Sequence, residues 1–246
     1  MSISVVLQAR FGSSRLPGKA MLPLGKLLIL ETVALRALKI SADSYWFVTT
    51  VLEEDDVLAQ TCLELGYQVF RGEIDDVLSR FEAVALASGA EVMVRVTGDN
   101  PLISFELANQ MISDFSKVNS NYDSMRPSED WPLGLLPEVF RSKSLKKIRK
   151  HLENSDSYHL THVTSLLGQV GDVYFFKLKQ DWTTAKGWRL TLDEPRDYLL
   201  FTEISRIYEP KSLADISSLE LLEILELNSN LKLLNNNVLQ KRIEEG

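Results

Sequence analysis

Cysteine, histidine and long apolar runs are scarce in this chain. Of its 246 residues only Cys62 is a cysteine, so no intramolecular disulfide can form, and a reducing, cytoplasmic setting is expected. Cys62 lies in the helical pattern "VLAQTCLELGY", where a thiol behaves as a small buried hydrophobe. With three histidines and no Cys/His cluster at zinc spacing, a structural zinc is disfavoured. No stretch of about 18 apolar residues occurs, so no membrane span is expected. The opening "MSISVVLQAR" lacks a basic start and a small-residue cleavage site, and it reads as a strand rather than a signal peptide. Positive charge is in deficit: 27 Lys and Arg against 34 Asp and Glu, a net charge of −7. That excludes a broad nucleic-acid footprint but not a small basic pocket. No G-x-S-x-G elbow and no G-x-G-x-x-G fingerprint is present, which disfavours a hydrolase triad and a Rossmann dinucleotide site.

What is present is a regular alternation. Ile3 to Gln8 is a compact β-branched run, a buried strand. Residues 9 to 19 form a loop, and 27 to 40 read as a well-covered helix. Then come a strand at 45 to 50, a helix at 53 to 66 with acids at its start and Gly66 at its end, a strand at 67 to 70, a helix at 75 to 88 closed by Gly89, and a strand at 91 to 98. This order predicts an α/β fold, three layers deep, with a mainly parallel sheet covered by helices on both faces. Ligands of such sheets sit at the carboxyl ends of the strands. After a helix from 104 to about 115, the stretch "SKVNSNYDSMRPSEDWPLGLLPEVF" reads as a long loop or edge hairpin across the active face. Residues 142 to 153 form a basic amphipathic helix with a solvated face. Strands are expected at 172 to 179 and 188 to 192, and helices from 195 to 245. The whole chain reads as one domain.

The loop "QARFGSSRLPGKAML" carries Arg10, Arg15 and Lys19 around Gly12, Ser13 and Ser14. It is not a P-loop: five residues separate its glycines instead of four, and Ala20 stands where Ser or Thr would hold Mg²⁺. The chemistry of anion capture still applies. Gly12 and Ser13 allow close backbone approach, Arg clamps phosphate oxygens, and Lys adds a mobile charge. The alternative is a solvated basic loop held by neighbouring acids.

"QAR-x-GSSRLPGK" resembles the signature loop of the CMP-sugar synthetase superfamily, which includes CMP-KDO synthetase and acylneuraminate cytidylyltransferase. It is most similar to the branch that contains spore coat polysaccharide biosynthesis protein F. "VFRGEIDDVLSRF" (69 to 81), "VRVTGDNPLI" (94 to 103), "WPLGLLPEVF" (131 to 140), "HVT" (162 to 164) and "LTLDEPRD" (190 to 197) resemble further segments of that branch, in the same order. The resemblance covers residues 1 to about 200. It implies a nucleotide-diphospho-sugar transferase-like fold and a Mg²⁺-dependent cytidylyltransferase that moves CMP from CTP to a sugar-like acceptor for surface polysaccharide or glycoconjugate synthesis. It also implies a homodimer, with 119 to 170 as acceptor-side loop and candidate arm.

Asp99 and Asp193 each follow an apolar run at the end of an expected strand, and each is soon followed by a proline. Two such carboxylates can converge on one hard cation, and Mg²⁺ takes one or two carboxylates plus phosphate oxygens and water. Asp before Pro is also a common helix N-cap, which is the competing explanation. In the families that the chain resembles, residues matching these two carry the magnesium. The resemblance thus makes Lys19, Arg15 and Asp99 the catalytic candidates. It places Gln8, Ala9, Arg10, Gly12, Ser13, Ser14, Thr97 and Gly98 against the nucleotide, and Arg71, Asp75, Asn100, Glu138 and His162 toward the acceptor. Arg80 accompanies the Arg71 segment, and Arg95 reads as a buried ion-pair partner within a strand. His162 is equally readable as a satisfied helix histidine; His151 and His159 read as surface positions. The second half departs from the branch: Leu136 stands where an Asp is usual, and Leu160-Thr161 precede His162 where an Arg-Glu pair is usual. Two alternatives therefore stay open: a metal-dependent glycosyltransferase using a finished nucleotide sugar, which would favour a D-x-D that "GDNP" does not provide, and a nucleotide-binding homologue without transfer activity.

Overall fold

The computed structural model describes residues 1–118, 121–128, 131–152, 157–177, 179 and 181–239. Strand β1 (Ile3–Gln8) leads through the loop and a short hairpin, β2 (Pro23–Leu24) and β3 (Leu27–Leu28), into helix α1 (Ile29–Ala37). Then follow β4 (Ser44–Thr50), α2 (Asp56–Glu64), β5 (Gln68–Gly72), α3 (Val77–Ser88), β6 (Val92–Thr97) and α4 (Phe105–Lys117). The second half holds β7 (Tyr122–Pro127), β8 (Glu138–Arg141), α5 (Lys143–His151), α6 (Ser157–Thr161), α7 (Leu167–Val170), β9 (Asp172–Phe176), α8 (Pro195–Tyr208) and α9 (Ser218–Leu227).

Seven strands form one sheet in the order β5-β4-β1-β6-β8-β7-β9. The pairs β5/β4, β4/β1, β1/β6 and β7/β9 are parallel, and β8 runs against both its neighbours. Alternation along the strands sends side chains to two cores. Val5 and Leu7 of β1, with Val92, Val94 and Val96 of β6, join α1, α2, α4, α8 and α9 on one face. Val6, Met93 and Phe140 join α3 and α5 on the other. The expected three-layer α/β architecture is what forms. Cys62 is fully buried, and burial pushes its thiol pKa up.

Helix ends follow local chemistry. The Asp76 carboxylate, not Asp75, caps α3 by accepting from the Ser79 amide at 2.8 Å. Gly89 closes α3 at φ +63°, a conformation that costs an L side chain energy.

Three expectations are corrected. The stretch expected to be a long loop or edge hairpin contributes β7 and β8 to the sheet interior, where β8 lies between β6 and β7. Both strands are short and largely buried, so they show no clean alternation, and the prolines lie between or at their ends. Residues 188 to 192 form no strand of the sheet. Leu190 instead donates its N–H to the Leu133 carbonyl at 2.7 Å and Leu192 to the Asp99 carbonyl at 2.7 Å, with a single bridge between Leu133 and Arg189. An apolar run thus satisfies its backbone on two loops rather than on a ladder. His159 also differs from expectation: it is half-buried, and its Nδ1 meets the Ser165 hydroxyl at 2.6 Å. Residues 119, 120, 129, 130 and 153–156 of the expected loop, arm and basic helix lie outside the described residues, as do 178 of the expected strand and 240–245 of the tail.

Candidate functional site

The sheet reverses its order of growth at β1: β4 and β5 extend one way, β6 and β8 the other. A crevice opens at such a switch point, beyond the carboxyl ends of the strands. Here it is a cleft of about 510 Å³. β1 ends in it at Gln8 and β6 at Thr97, and Gly98 donates its N–H to the Gln8 carbonyl at 2.8 Å. A Cβ on Gly98 would come within 2.7 Å of the Ala9 Cβ, so glycine is what lets these two strand ends cross.

The loop after β1 forms one wall. Its Phe11 amide donates to the fully buried Asp55 carboxylate at 2.6 Å, and Asp55 also accepts from the Thr49 and Thr50 hydroxyls. Gly18, at φ +67°, turns the chain so that Lys19 opens a short 3₁₀ turn. Among the described residues, the amides of Gly12, Ser13 and Ser14 reach no acceptor, a run of backbone donors available to an anion.

Asp99 and Asp193 both come within reach of Lys19. Lys19 Nζ donates to Asp193 Oδ1 at 3.1 Å and to the Leu192 carbonyl at 2.7 Å, and lies 3.6 Å from Asp99 Oδ2. Asp193 Oδ2 faces two arginines, Arg15 Nη2 at 3.0 Å and Arg189 Nη2 at 2.7 Å. Burial works against the charge of Asp193, but Lys19, Arg15 and Arg189 outweigh it and hold the carboxyl below the usual range. Asp99 accepts from the Thr97 hydroxyl at 2.6 Å. Neither carboxylate is a helix N-cap: Ser104 caps α4 and Glu194 caps α8, so the competing explanation falls. Among the described residues no three His, Cys, Asp or Glu side chains gather to hold a metal. The donor set is a pair of carboxylates, which suits a hard cation that completes its shell with phosphate oxygens and water.

The opposite wall joins β6 to segments from the second half of the chain. Arg95, on β6, is buried and pairs with Glu138 Oε2 at 2.5 Å, while its Nε donates to Gln8 Oε1 at 3.1 Å. The Thr164 hydroxyl donates to the same Glu138 oxygen at 2.7 Å. His162 lines the cleft with Leu136 and Thr161. Burial and the nearby Arg95 lower the His162 pKa, which favours the neutral imidazole. Of the residues singled out in the sequence, Gln8, Ala9, Arg10, Gly12, Ser13, Ser14, Arg15, Lys19, Thr97, Gly98, Asp99, Asn100, Glu138, His162 and Asp193 all line the cleft, as does Arg80. Arg71 and Asp75 do not. Arg71 is bound to Asp56 at 2.5 Å and to the Thr50 and Leu52 carbonyls, and Asp75 is exposed beyond β5.

Sequence reasoning missed the supports: Asp55 under the loop, Gly134 where two loops cross, and Arg189, Asp197 and Asn235 behind Asp193. Signals were there for some: Gly134 lies in "WPLGLLPEVF", Asp197 closes "LTLDEPRD", and Arg189 stands four residues before Asp193. Asn235, far along the chain, left none.

Comparisons with known proteins bear on the family and the fold. Residues 4–231 match the model of the cytidylyltransferase family. The chain is 32% identical to the spore coat polysaccharide biosynthesis protein SpsF of Bacillus subtilis over 92% of this chain and 95% of that protein. A cytidylyltransferase structure from Leptospira borgpetersenii superposes with a TM-score of 0.84 at 24% identity, covering 98% of this chain and 100% of that one. The structure of CMP:2-keto-3-deoxy-manno-octonic acid synthetase complexed with CTP superposes with a TM-score of 0.61 at 15% identity, covering 84% and 98%. With its switch-point cleft, basic loop and paired carboxylates, the chain belongs to the cytidylyltransferase family.

Proposed function

We propose that the chain transfers CMP from CTP to a hydroxyl of a sugar-like acceptor, with Mg²⁺, for polysaccharide or glycoconjugate synthesis. The observation that carries this reading is the meeting of Lys19 and Arg15 with Asp99 and Asp193 in one cleft, beside the free amides of Gly12 to Ser14. Lys19, Arg15 and those amides bind and orient the triphosphate, and Gln8, Ala9, Arg10, Thr97 and Gly98 lie against the nucleoside. Asp99 and Asp193 would hold the cation, which when bound spreads the charge that builds on the α-phosphate and the leaving group. Asn100, Glu138 and His162 face the acceptor. The acceptor hydroxyl oxygen bonds to the α-phosphorus, the α–β phosphoanhydride bond breaks, pyrophosphate leaves, and the hydroxyl proton passes to solvent. Positioning and electrostatics do most of this work. The described part of 119–170, which holds β7, β8 and α5 to α7, is the proposed route to a homodimer. Among the described residues no helix is long and apolar enough to cross a membrane, and use of a cytoplasmic nucleotide fits the reducing setting inferred from the single cysteine.

Pyrophosphate release tests the reading. CTP, ATP, GTP and UTP are offered with Mg²⁺ and a panel of acidic sugars, sugar phosphates and polyol phosphates. Release is expected with CTP and one acceptor class, and Asp99→Asn and Lys19→Ala should each lose about 100-fold or more. Absence of any nucleotide binding overturns the reading. Thermal stabilisation by CTP with no release from any acceptor would favour the nucleotide-binding homologue suggested by Leu136 and Leu160-Thr161.

A further inference from the structure

A buried chain of polar side chains stands behind Asp193 and uses residues from both ends of the C-terminal third. Asp197, in the first turn of α8, is fully buried. Its Oδ1 accepts from Arg189 Nε at 3.0 Å and from Asn235 Nδ2 at 2.9 Å. Its Oδ2 accepts from the amides of Asp193 at 2.9 Å and Glu194 at 3.0 Å. Arg189 spans the gap, reaching Asp193 Oδ2 at 2.7 Å. Asn235 is 2% exposed and also donates to the Arg189 carbonyl at 3.0 Å. Capping α8 needs only the two amide bonds to Asp197; it explains neither Arg189 nor Asn235.

We propose that Asn235 and Asp197 are positioning residues that act through Arg189 to hold Asp193 by its Oδ2, leaving Oδ1 on the cleft side, where it faces Lys19. Asn235 lies beyond residues 4–231, the part that matches the family model. With Oδ2 held by Arg189 and Arg15, only Oδ1, which accepts from Lys19 here, would be offered to a cation as a single ligand once that contact yields, the mode that strict octahedral geometry accepts. Outer partners of this kind fix ligand orientation and commonly carry a 10- to 100-fold effect on metal affinity. The inference rests on the CTP–metal reading of the cleft.

The test is Mn²⁺ binding followed by electron paramagnetic resonance, on the full chain, with and without CTP. Asn235→Ala should weaken Mn²⁺ binding in the presence of CTP about tenfold, and Asp197→Asn about 100-fold. CTP affinity measured without metal should stay within about twofold of wild type, because the partners of Asn235 and Asp197 are Arg189 and the amides of Asp193 and Glu194, not Lys19 or Arg15. Asp197→Asn removes a fully buried charge and can unfold the protein, so Asn235→Ala is the deciding variant. A lowered melting temperature with unchanged Mn²⁺ affinity in Asn235→Ala would overturn the proposal and leave the CTP–metal reading standing. A wild-type chain that binds CTP but no Mn²⁺ would overturn that reading and this inference with it.

Discussion

A methyl group added at Gly134 would collide with the segment that carries Asp193. The backbone there is at φ +90°, and an ideal Cβ would lie 2.1 Å from the Leu190 carbonyl oxygen and 2.9 Å from the Thr191 amide nitrogen. Both obstacles are backbone, so they can yield only if the two loops part. Left-handed backbone costs an L residue about 1–2 kcal/mol. Parting the loops weakens two hydrogen bonds, Leu133 N–H to the Trp188 carbonyl at 3.1 Å and Leu190 N–H to the Leu133 carbonyl at 2.7 Å, each worth about 1 kcal/mol. Gly134→Ala should therefore cost about 3–4 kcal/mol, a large share of the ~5–15 kcal/mol that typically holds a protein folded. Gly89→Ala is the control: φ is +63° there, but nothing lies within 4 Å of the added Cβ, so only the strain of about 1 kcal/mol remains. With a urea slope of about 3 kcal/mol/M, the Gly134 variant should unfold roughly 1 M below wild type, and the Gly89 variant by about a third of that. Pyrophosphate release should fall about 100-fold in Gly134→Ala, since a displacement of about 1 Å at Asp193 suffices for that, and should survive in Gly89→Ala. Equal midpoint shifts for the two variants would refute the argument from loop contact.

Two further perturbations probe the supports of the fold. Arg36 is fully buried and donates to the carbonyls of Ile103, Leu213 and Ile216, each at 2.8 Å, and burial brings its pKa down to about 10. Arg36→Ala strands those carbonyls and should cost about 3 kcal/mol in a urea titration, with nucleotide affinity unchanged. Asp123 is buried and accepts from Lys147 Nζ at 2.7 Å, the Ser144 hydroxyl at 2.8 Å and the Asp172 amide at 3.1 Å. Burial alone would raise its pKa, but these donors outweigh it and hold the carboxyl below its usual value. A depressed carboxylate contributes its full stability above the unfolded pKa of about 3.9 and loses it as pH falls through the folded value. Asp123→Asn should thus cost about 2 kcal/mol at pH 7, with the gap to wild type closing below about pH 4; a gap that stays constant with pH would contradict this.

Much of the cleft was legible because its parts are local. The basic loop, "TGDNP" and "LTLDEPRD" each carry their chemistry within a few residues, and strand–helix alternation places the first two at one edge of a parallel sheet; the third reaches them through loop contacts with Leu133 and Asp99. Arg71 shows the limit: it belongs to a motif that borders the cleft, yet Arg80 from the same segment lines the wall while Arg71 turns away to Asp56. Which of two arginines nine residues apart faces a ligand depends on where α3 packs, and no spacing rule contains that. Strand β8 was illegible for a related reason. It is a four-residue piece inserted beside β6, and its register, which sets Glu138 opposite Arg95, exists only once the sheet is built.

The sequence by itself determined the fold class, the carboxyl-end location of the cleft and most of the side chains that line it. These follow from period, punctuation and charge within short windows. Tertiary structure alone decided how those groups are held. Asp55 beneath the loop, Gly134 against Leu190, and Arg189 with Asn235 behind Asp193 are contacts across 44, 56 and up to 46 residues of chain. Such pairings depend on packing and hydrogen-bond satisfaction in a closed core, where every buried polar group must find a partner wherever the fold brings one.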